Sequence, residues 1–200
     1  MKHALALALF VLAAAPATAA PASLDDVART LAATTSMTAD FTQTAANGQM
    51  LKGKMALARP GRVRFEYEDA KILLVGDGRN LSFVDYAVRQ VSQWPVKSTP
   101  LGILLAATPK LDGLATIIGA SEDAVIVEAR DPEHPEFGTL SIRFARQSDA
   151  PGGLALAGWT AHDAQGGSAD IKLSNVRYNA DLKKADWSFR DPRRRSARAG

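Results

Sequence analysis

Arg62-Val-Arg-Phe-Glu-Tyr-Glu68 is the stretch in which charged and apolar side chains alternate most regularly. Val63, Phe65 and Tyr67 point to one side of an extended segment, while the arginines and glutamates point to the other. This pattern predicts an antiparallel strand with one face in the core and the other in water. Arg59-Pro60-Gly61 immediately before it predicts a turn, because proline fixes φ and glycine tolerates positive φ.

Segments of the same kind lie on both sides of this strand. Asn47-Gly48, Gly76-Asp77-Gly78 and Pro151-Gly152-Gly153 are turn signals between them. About eleven strands are predicted, near residues 37–42, 51–57, 62–68, 72–75, 81–84, 89–94, 124–130, 139–146, 154–161, 169–177 and 187–189. So many short strands predict a mainly β fold, an incomplete antiparallel barrel rather than a flat sheet.

Two helical segments interrupt the strands. Ser23-Leu-Asp-Asp26 is a capping-box start, and the helix that follows is expected to end near residues 34–36. Thr99-Pro100 begins a second, short helix at residues 101–105 that is apolar on nearly every side, so it must be buried or cover something. Residues 111–118 are ambiguous, and a further short helix is one interpretation.

Length and composition limit the possible classes of protein. Two hundred residues suit one domain, and a chain that is 46% hydrophobic and 22% charged is globular. The chain has no cysteine. This excludes disulfide scaffolds, thiolate zinc sites, cysteine nucleophiles and a lipid attached to an N-terminal cysteine.

The basic character of the chain is confined to its ends. The net charge is +3, but Arg190, Arg193, Arg194, Arg195 and Arg198 crowd the last eleven positions. Residues 20–189 carry 18 basic and 20 acidic residues, a net charge of −2. Nucleic acid is therefore not an expected partner, and residues 191–200 are expected to be a basic, disordered tail.

The N-terminus has the pattern of a secretory signal peptide. A basic start is followed by an apolar run from Ala4 to Ala15 and by Ala17-Thr18-Ala19. Cleavage is expected after Ala19, which would leave a domain over residues 20–190. The alternative, a buried first helix, is less consistent with the small residues at the cleavage position.

No catalytic constellation or cofactor motif is visible. His134 and His162 are 28 residues apart and have no cysteine to complete a metal site. Glu66 and Glu68 could form a carboxylate pair, but solvated surface charge is the commoner case. We therefore expect no enzyme activity, no metal and no cofactor.

The apolar strand faces need a cover. The helical segments either fill the concave side of the sheet or form the roof of an apolar cavity, and composition leaves both open. Met37, Met50 and Met55 slightly favour an adaptable cavity, because thioethers conform to varied ligands.

The order and spacing of several motifs resemble the periplasmic outer-membrane lipoprotein carrier family (LolA-like). The resemblance is specific through residue 105 and looser beyond residue 110. Its motifs are Thr38-Ala-Asp-Phe-Thr-Gln43, Gly53, Ala58-Arg-Pro-Gly-Arg-Val-Arg-Phe-Glu-Tyr67, Val75-Gly-Asp-Gly78, Asp85-Tyr86, Gln90-Val91, Ser98-Thr-Pro-Leu101 and Trp187-x-Phe-x-x-Pro192.

This resemblance implies an unclosed barrel of eleven strands with a helical lid over an apolar cavity. It implies a monomeric periplasmic carrier that takes acylated lipoproteins from an inner-membrane ABC transporter to an outer-membrane lipoprotein acceptor. Because the chain lacks cysteine, it resembles the carrier rather than the lipid-anchored acceptor. A lipid-sensing regulatory module, or a carrier of glycolipids or other amphiphiles, with the same fold is the alternative.

The resemblance also suggests roles for individual residues. Arg59 matches an arginine that hydrogen-bonds the lid and holds it shut. The residues expected to line the cavity are Phe41, Met55, Leu57, Val63, Phe65, Tyr67, Leu74, Phe83, Ile103 and Leu104.

Overall fold

Eleven antiparallel strands form one open sheet in the computed structural model, which describes residues 22–193. The strands are β1 (Ser36–Ala45), β2 (Met50–Ala58), β3 (Arg62–Tyr67), β4 (Ile72–Asp77), β5 (Asn80–Asp85), β6 (Gln90–Pro95), β7 (Ala115–Ala120), β8 (Ala124–Arg130), β9 (Thr139–Arg146), β10 (Leu154–His162) and β11 (Ser168–Tyr178). The helices are α1 (Leu24–Ala33) and α2 (Pro100–Leu105). The predicted mainly β, unclosed architecture is confirmed.

The sheet consists of two meanders that meet at the first and last strands. Its order is β6-β5-β4-β3-β2-β1-β11-β10-β9-β8-β7, so β6 and β7 are its two edges. The chain between these edges carries α2, because it must cross from one end of the sheet to the other. Topology therefore places this helix over the concave face, and we call α2 the lid.

One sequence prediction about secondary structure was wrong, and one that the sequence left open is decided by the structure. Residues 187–189 form no strand, although their alternation of large and small side chains suggested one. The possible further helix at 111–118 is a turn followed by β7, since Gly113 has a φ of 73° and the adjacent Ile117 and Ile118 favour extended backbone.

Helix α1 begins where its sequence predicted. Ser23 is the N-cap, its hydroxyl accepts a hydrogen bond from the Asp26 backbone amide at 3.2 Å, and the Asp26 carboxylate accepts from the Ser23 amide at 3.0 Å. The bonds that the carboxylate accepts from the Ser23 amide, the Ser23 hydroxyl and Arg29 lower the pKa of Asp26 to about 2. The helix buries Val27, Thr30 and Leu31.

Apolar side chains pack on both faces of the sheet. The main core lies between the concave face and the helices, while Leu73, Val75 and Val84 form a smaller cluster on the convex face. Residues 181–193, which we call the outer strap, cover this cluster with Phe189. Arg64 Nη1 donates hydrogen bonds to the strap at the carbonyl oxygens of Asp186 (3.1 Å) and Ser188 (2.8 Å).

Among residues 22–193, no helix has the length and apolar character needed to cross a bilayer. The expected signal peptide at 1–19 and most of the expected tail at 191–200 lie outside the described residues.

Candidate functional site

The concave face of the sheet and the two helices enclose an apolar interior. About 20 Å³ of free volume remains inside it, room for about one water molecule. A ligand larger than a water molecule therefore enters only if a helix moves away from the sheet. The interior is lined by Thr30, Leu31, Thr34, Met37, Met55, Leu57, Arg59, Val63, Phe65, Leu101, Leu104, Phe144, Leu154, Leu156, Trp159 and Tyr178.

Arg59 joins the lid to the end of α1. It follows the last residue of β2, so the sheet fixes its position at the mouth of the interior. Its Nε donates to the carbonyl oxygen of Thr34 at 2.7 Å, and its Nη1 donates to the carbonyl oxygens of Leu104 and Ala106, the latter at 3.0 Å. One side chain therefore bonds both helical segments that cover the interior.

The guanidinium of Arg59 is a cation in an apolar environment. Burial lowers its pKa to about 10, because removal from water disfavours the charged form. Within residues 22–193 its hydrogen-bond partners are backbone carbonyls, and it forms no ion pair with a carboxylate. Carbonyl partners hold the cation less strongly than a carboxylate would.

The turn after Arg59 supports the lid through the backbone. The Gly61 amide donates to the carbonyl oxygen of Leu105, in the last residue of the lid, at 2.9 Å. Gly61 has a φ of 69°, and a Cβ there would lie 2.7 Å from the carbonyl oxygen of Gly78 in the neighbouring turn. Only glycine fits this position, so the turn motif predicted from Pro60-Gly61 also positions a donor for the lid.

Aromatic rings form the floor of the main core. Phe65 packs edge-on against Phe41 and against Trp159, with ring centroids 5.4 and 5.9 Å apart. Tyr67 packs on Phe41 at 5.1 Å, and its hydroxyl donates to Gln43 at 2.7 Å. Burial raises the pKa of Tyr67 to about 12, so this hydroxyl is neutral throughout the physiological range.

The structure brings six of the predicted site residues together around the interior. These six are Met55, Leu57, Arg59, Val63, Phe65 and Leu104. Phe41 and Ile103 are buried in the same core, and Tyr67 and Leu74 pack half-buried against it. Phe83 is half-buried on β5 and pairs with Leu74 across the β4–β5 ladder. That these side chains contact a ligand stays a prediction.

The half of the interior that comes from α1 and β9–β11 was missed by sequence reasoning. Leu31, Phe144, Leu154, Trp159 and Tyr178 are its main components. Their strands were predicted, and alternation along β9 and β10 identifies the inward side chains. The sequence did not reveal that β11 pairs with β1. This pairing places β9, β10 and β11 opposite β2 and β3.

A second groove lies outside the interior, on the convex face. It has a volume of about 580 Å³ and is lined by charged side chains that include Asp40, Lys54, Arg64 and Glu66. Arg64 Nε is 2.6 Å from Glu66 Oε1, and Asn175 Nδ2 donates to Asp40 at 2.6 Å. Three of its charged side chains thus have partners within the protein, and we take the apolar interior as the better candidate site.

A small acidic cluster lies in the loop between β8 and β9. Ligand atoms of Asp131, Glu133 and His134 lie within 4.8 Å of one another. The His134 ring is 2.8 Å from the Asp131 carboxylate, which raises the pKa of the imidazole and lowers that of the carboxyl. The contact between His134 and Asp131 is enough to explain why these side chains lie together in an exposed turn. His162 ends β10 and is exposed.

The fold and this site define a class: an unclosed β-barrel whose apolar interior is covered by a helical lid. The family model described as outer membrane lipoprotein carrier protein LolA matches residues 32–190. The chain belongs to this family.

Two relatives named as outer-membrane lipoprotein carrier proteins agree with the family match. An outer-membrane lipoprotein carrier protein of Legionella pneumophila is 28% identical over 172 residues, which are 78% of this chain and 80% of the relative. One of Chromobacterium violaceum is 28% identical over 187 residues, 88% of each chain. The crystal structure of a LolA superfamily protein from Nitrosomonas europaea has 11% identity and a TM-score of 0.44, with 82% of this chain and 96% of that one covered.

Proposed function

We propose that this protein is a periplasmic carrier that holds the acyl chains of lipoproteins in its apolar interior and takes them from the inner to the outer membrane. One observation carries the proposal. A lid closes the apolar interior, and the side chain that holds this lid is a single arginine, Arg59, which donates hydrogen bonds to backbone carbonyls. The family match and the carrier names of the relatives support it. The signal-peptide pattern at 1–19 supports export.

The energetics of acyl chains explain why such a site is needed. Each CH₂ group removed from water contributes about 0.8 kcal/mol, so a free lipoprotein anchor does not cross the aqueous periplasm unaided. The interior replaces water with leucine, methionine and aromatic side chains. Met37 and Met55 can adapt to chains of different shape, because the thioether side chain has several flexible torsions.

Release requires that the empty state also be stable. In the closed structure the lid buries Ile103, Leu104 and Leu105, and these side chains occupy the space that cargo would take. Cargo and lid therefore compete for the same apolar surface, and the equilibrium between open and closed states sets the affinity. A carrier that closes on itself can deliver cargo to an acceptor without energy input at the outer membrane.

The proposed route has a donor and an acceptor. We propose that an ATP-driven inner-membrane transporter supplies the lipoprotein and that an outer-membrane lipoprotein acceptor receives it. The chain acts as a monomer in this scheme.

A release assay tests the proposal. Inner-membrane vesicles that contain the transporter and a triacylated lipoprotein are incubated with ATP and the purified mature protein. The lipoprotein is expected in the supernatant as a complex with this protein. Lipoprotein that stays in the vesicle pellet, at protein concentrations that saturate an established carrier used as the positive control, would contradict the carrier function.

A further inference from the structure

A row of three residues closes the interior on β1, β2 and β3 at the end away from the lid. Phe41 pairs with Gly53 across the β1–β2 ladder, and Gly53 pairs with Tyr67 across the β2–β3 ladder. We call these three residues the end row. The free space ends before it: Met55 and Phe65, two positions nearer the mouth on β2 and β3, line that space, and no residue of the end row does.

The ring of Phe41 fills the gap that Gly53 leaves in this row. Gly53 contributes no side chain, and a Cβ built there would lie 2.7 Å from the ring of Phe41. The ring therefore occupies the place over the β2 backbone where a side chain of β2 would otherwise stand. Phe41 is 2% exposed, so this place is shielded from water.

Neighbouring side chains hold the Phe41 ring in position. Its centroid lies 5.4 Å from that of Phe65 and 5.1 Å from that of Tyr67, and both contacts are edge-on. Tyr67 is itself fixed, because its hydroxyl donates to Oε1 of Gln43 at 2.7 Å. A ring packed on several sides resists displacement, since closely packed interiors have little free volume into which it could move.

Beyond the end row the concave face becomes accessible to water. On β1 the next residue on this face after Phe41 is Gln43, and on β2 the next beyond Gly53 is Leu51. Both of these are half-buried, whereas Phe41 and Gly53 are buried. The end row is therefore the last buried layer at this end of β1 and β2, and hydrocarbon that passed it would meet water.

In the proposed carrier function, the ends of the acyl chains point toward this row. The polypeptide of a lipoprotein stays in water, so the polar part of the anchor remains at the mouth and the hydrocarbon extends inward. Ala58 ends β2 at the mouth, and Gly53 lies five positions before it, a depth of about 17 Å at the rise of an antiparallel strand.

We propose that Phe41 determines the length of acyl chain that the interior accepts, an inference that rests on the proposed carrier function. Each CH₂ group that is buried strengthens binding by up to about fourfold. Methylene groups in excess of the depth to the end row stay unburied and add nothing to the affinity. The wall gives the interior a preference for chain length, which apolar side chains alone do not provide.

The test uses lipopeptides that differ only in their acyl chain: lauroyl, myristoyl, palmitoyl and stearoyl. Phe41→Leu makes the side chain at the wall smaller and keeps it apolar. Phe144→Leu is the matched control, because Phe144 is also a buried phenylalanine of the main core, 1% exposed, but lines the free space from β9 and lies outside the end row. Affinities are measured by competition against one fluorescent lipopeptide, and thermal unfolding of each unliganded protein is recorded. For each ligand the affinity of the variant is divided by that of the wild type, which cancels the ligand's own tendency to leave water.

For Phe41→Leu this ratio is expected to rise with chain length, from about one for lauroyl to about ten for stearoyl, because the smaller side chain admits further methylene groups. Phe144→Leu should give the same ratio with all four ligands, and wild-type affinity should stop rising before stearoyl.

Three results would overturn this inference alone: a ratio for Phe41→Leu that is independent of chain length, an equal rise in Phe144→Leu, or a wild-type affinity that increases equally at every step up to stearoyl. The wild-type series decides the question even if a variant unfolds. Failure of the wild type to bind any of the four lipopeptides would overturn the proposed function and this inference together.

Discussion

Arg59 and Arg64 lie five positions apart in the sequence and hold different segments on opposite faces of one sheet. Arg59 bonds carbonyl oxygens of α1 and the lid over the concave face, and Arg64 bonds carbonyl oxygens of the outer strap over the convex face. Arg64 has an ion-pair partner, Glu66, at 2.6 Å, whereas Arg59 has none in residues 22–193.

The two faces therefore illustrate two uses of the same chemistry. On the convex face a neutralised arginine and a half-buried phenylalanine attach a segment over three apolar side chains, which is a structural arrangement. On the concave face a half-buried arginine without an ion-pair partner in residues 22–193 secures a lid over the apolar interior. Desolvation costs more for Arg59, which has no ion-pair partner, than for Arg64, and we expect the Arg59 contact with the lid to be the one that opens.

The largest effect is expected at the lid. Arg59→Leu removes three hydrogen bonds from a charged donor, each of which stabilises by about 1.5–3 kcal/mol. The Gly61 amide reports lid closure, because it donates to Leu105. Its hydrogen exchange is expected to accelerate at least about 100-fold, measured by NMR. The variant should still accept lipoprotein but transfer it poorly, because the closed empty state is lost.

Arg64→Leu is the matched control for this experiment. It removes an arginine that also donates to two carbonyls, so it should release the strap and leave Gly61 exchange unchanged. Equal acceleration of Gly61 exchange in both variants would show that the two arginines act on the fold as a whole and that Arg59 has no specific action on the lid.

An intermediate effect is expected at the outer strap. Phe189→Ala removes a half-buried ring from Leu73, Val75 and Val84, a loss of about 1–2 kcal/mol. Tryptic cleavage after Lys184 should accelerate about tenfold, and acyl-chain binding should not change.

Phe137 offers a control for cleavage, because it is also half-buried but lies in the β8–β9 loop. Phe137→Ala should leave cleavage after Lys184 at the wild-type rate. Weaker acyl-chain binding by Phe189→Ala would show that the outer strap affects the concave interior, and would contradict a purely structural role for the convex face.

The smallest effect is expected at the start of α1. The pKa of Asp26 is about 2 in the folded protein, below its ordinary value of 3.8, so its contribution is present above pH 4 and is lost as the pH falls through 2. Asp26→Asn should lower the free energy of unfolding by less than about 1 kcal/mol at pH 7, because the carboxylate is exposed.

Denaturant unfolding of both proteins between pH 7 and pH 2 measures this difference. It should shrink toward zero at the acid end. A difference that is independent of pH would show that the charge of Asp26 does not stabilise the helix.

The concave face was largely predictable from the sequence. Strict alternation at 62–68 identified Val63 and Phe65 as inward residues, and the family resemblance indicated that Arg59 bonds the lid. Leu74 and Phe83 were harder to assign, because residues 72–75 are apolar on both faces. The structure shows why: the main core covers one face of β4 and the strap covers the other.

The convex face was not predictable. Residues 187–189 alternate as a strand does, but β11 is already paired on both sides and the free edges of the sheet are β6 and β7. The segment lies on the face of the sheet, and its carbonyls bond Arg64 where a strand would bond a neighbouring strand.

Trp159 provides the most direct test that acyl chains occupy the concave interior. It is 6% exposed and lines that interior, whereas Trp187 belongs to the outer strap. A variant that keeps only Trp159 and another that keeps only Trp187 are titrated with a lipopeptide whose acyl chains carry bromine, which quenches tryptophan fluorescence on contact. The carrier proposal predicts saturable quenching of Trp159 and none of Trp187. Quenching of Trp187 with Trp159 unaffected would place the lipid on the convex face and contradict it.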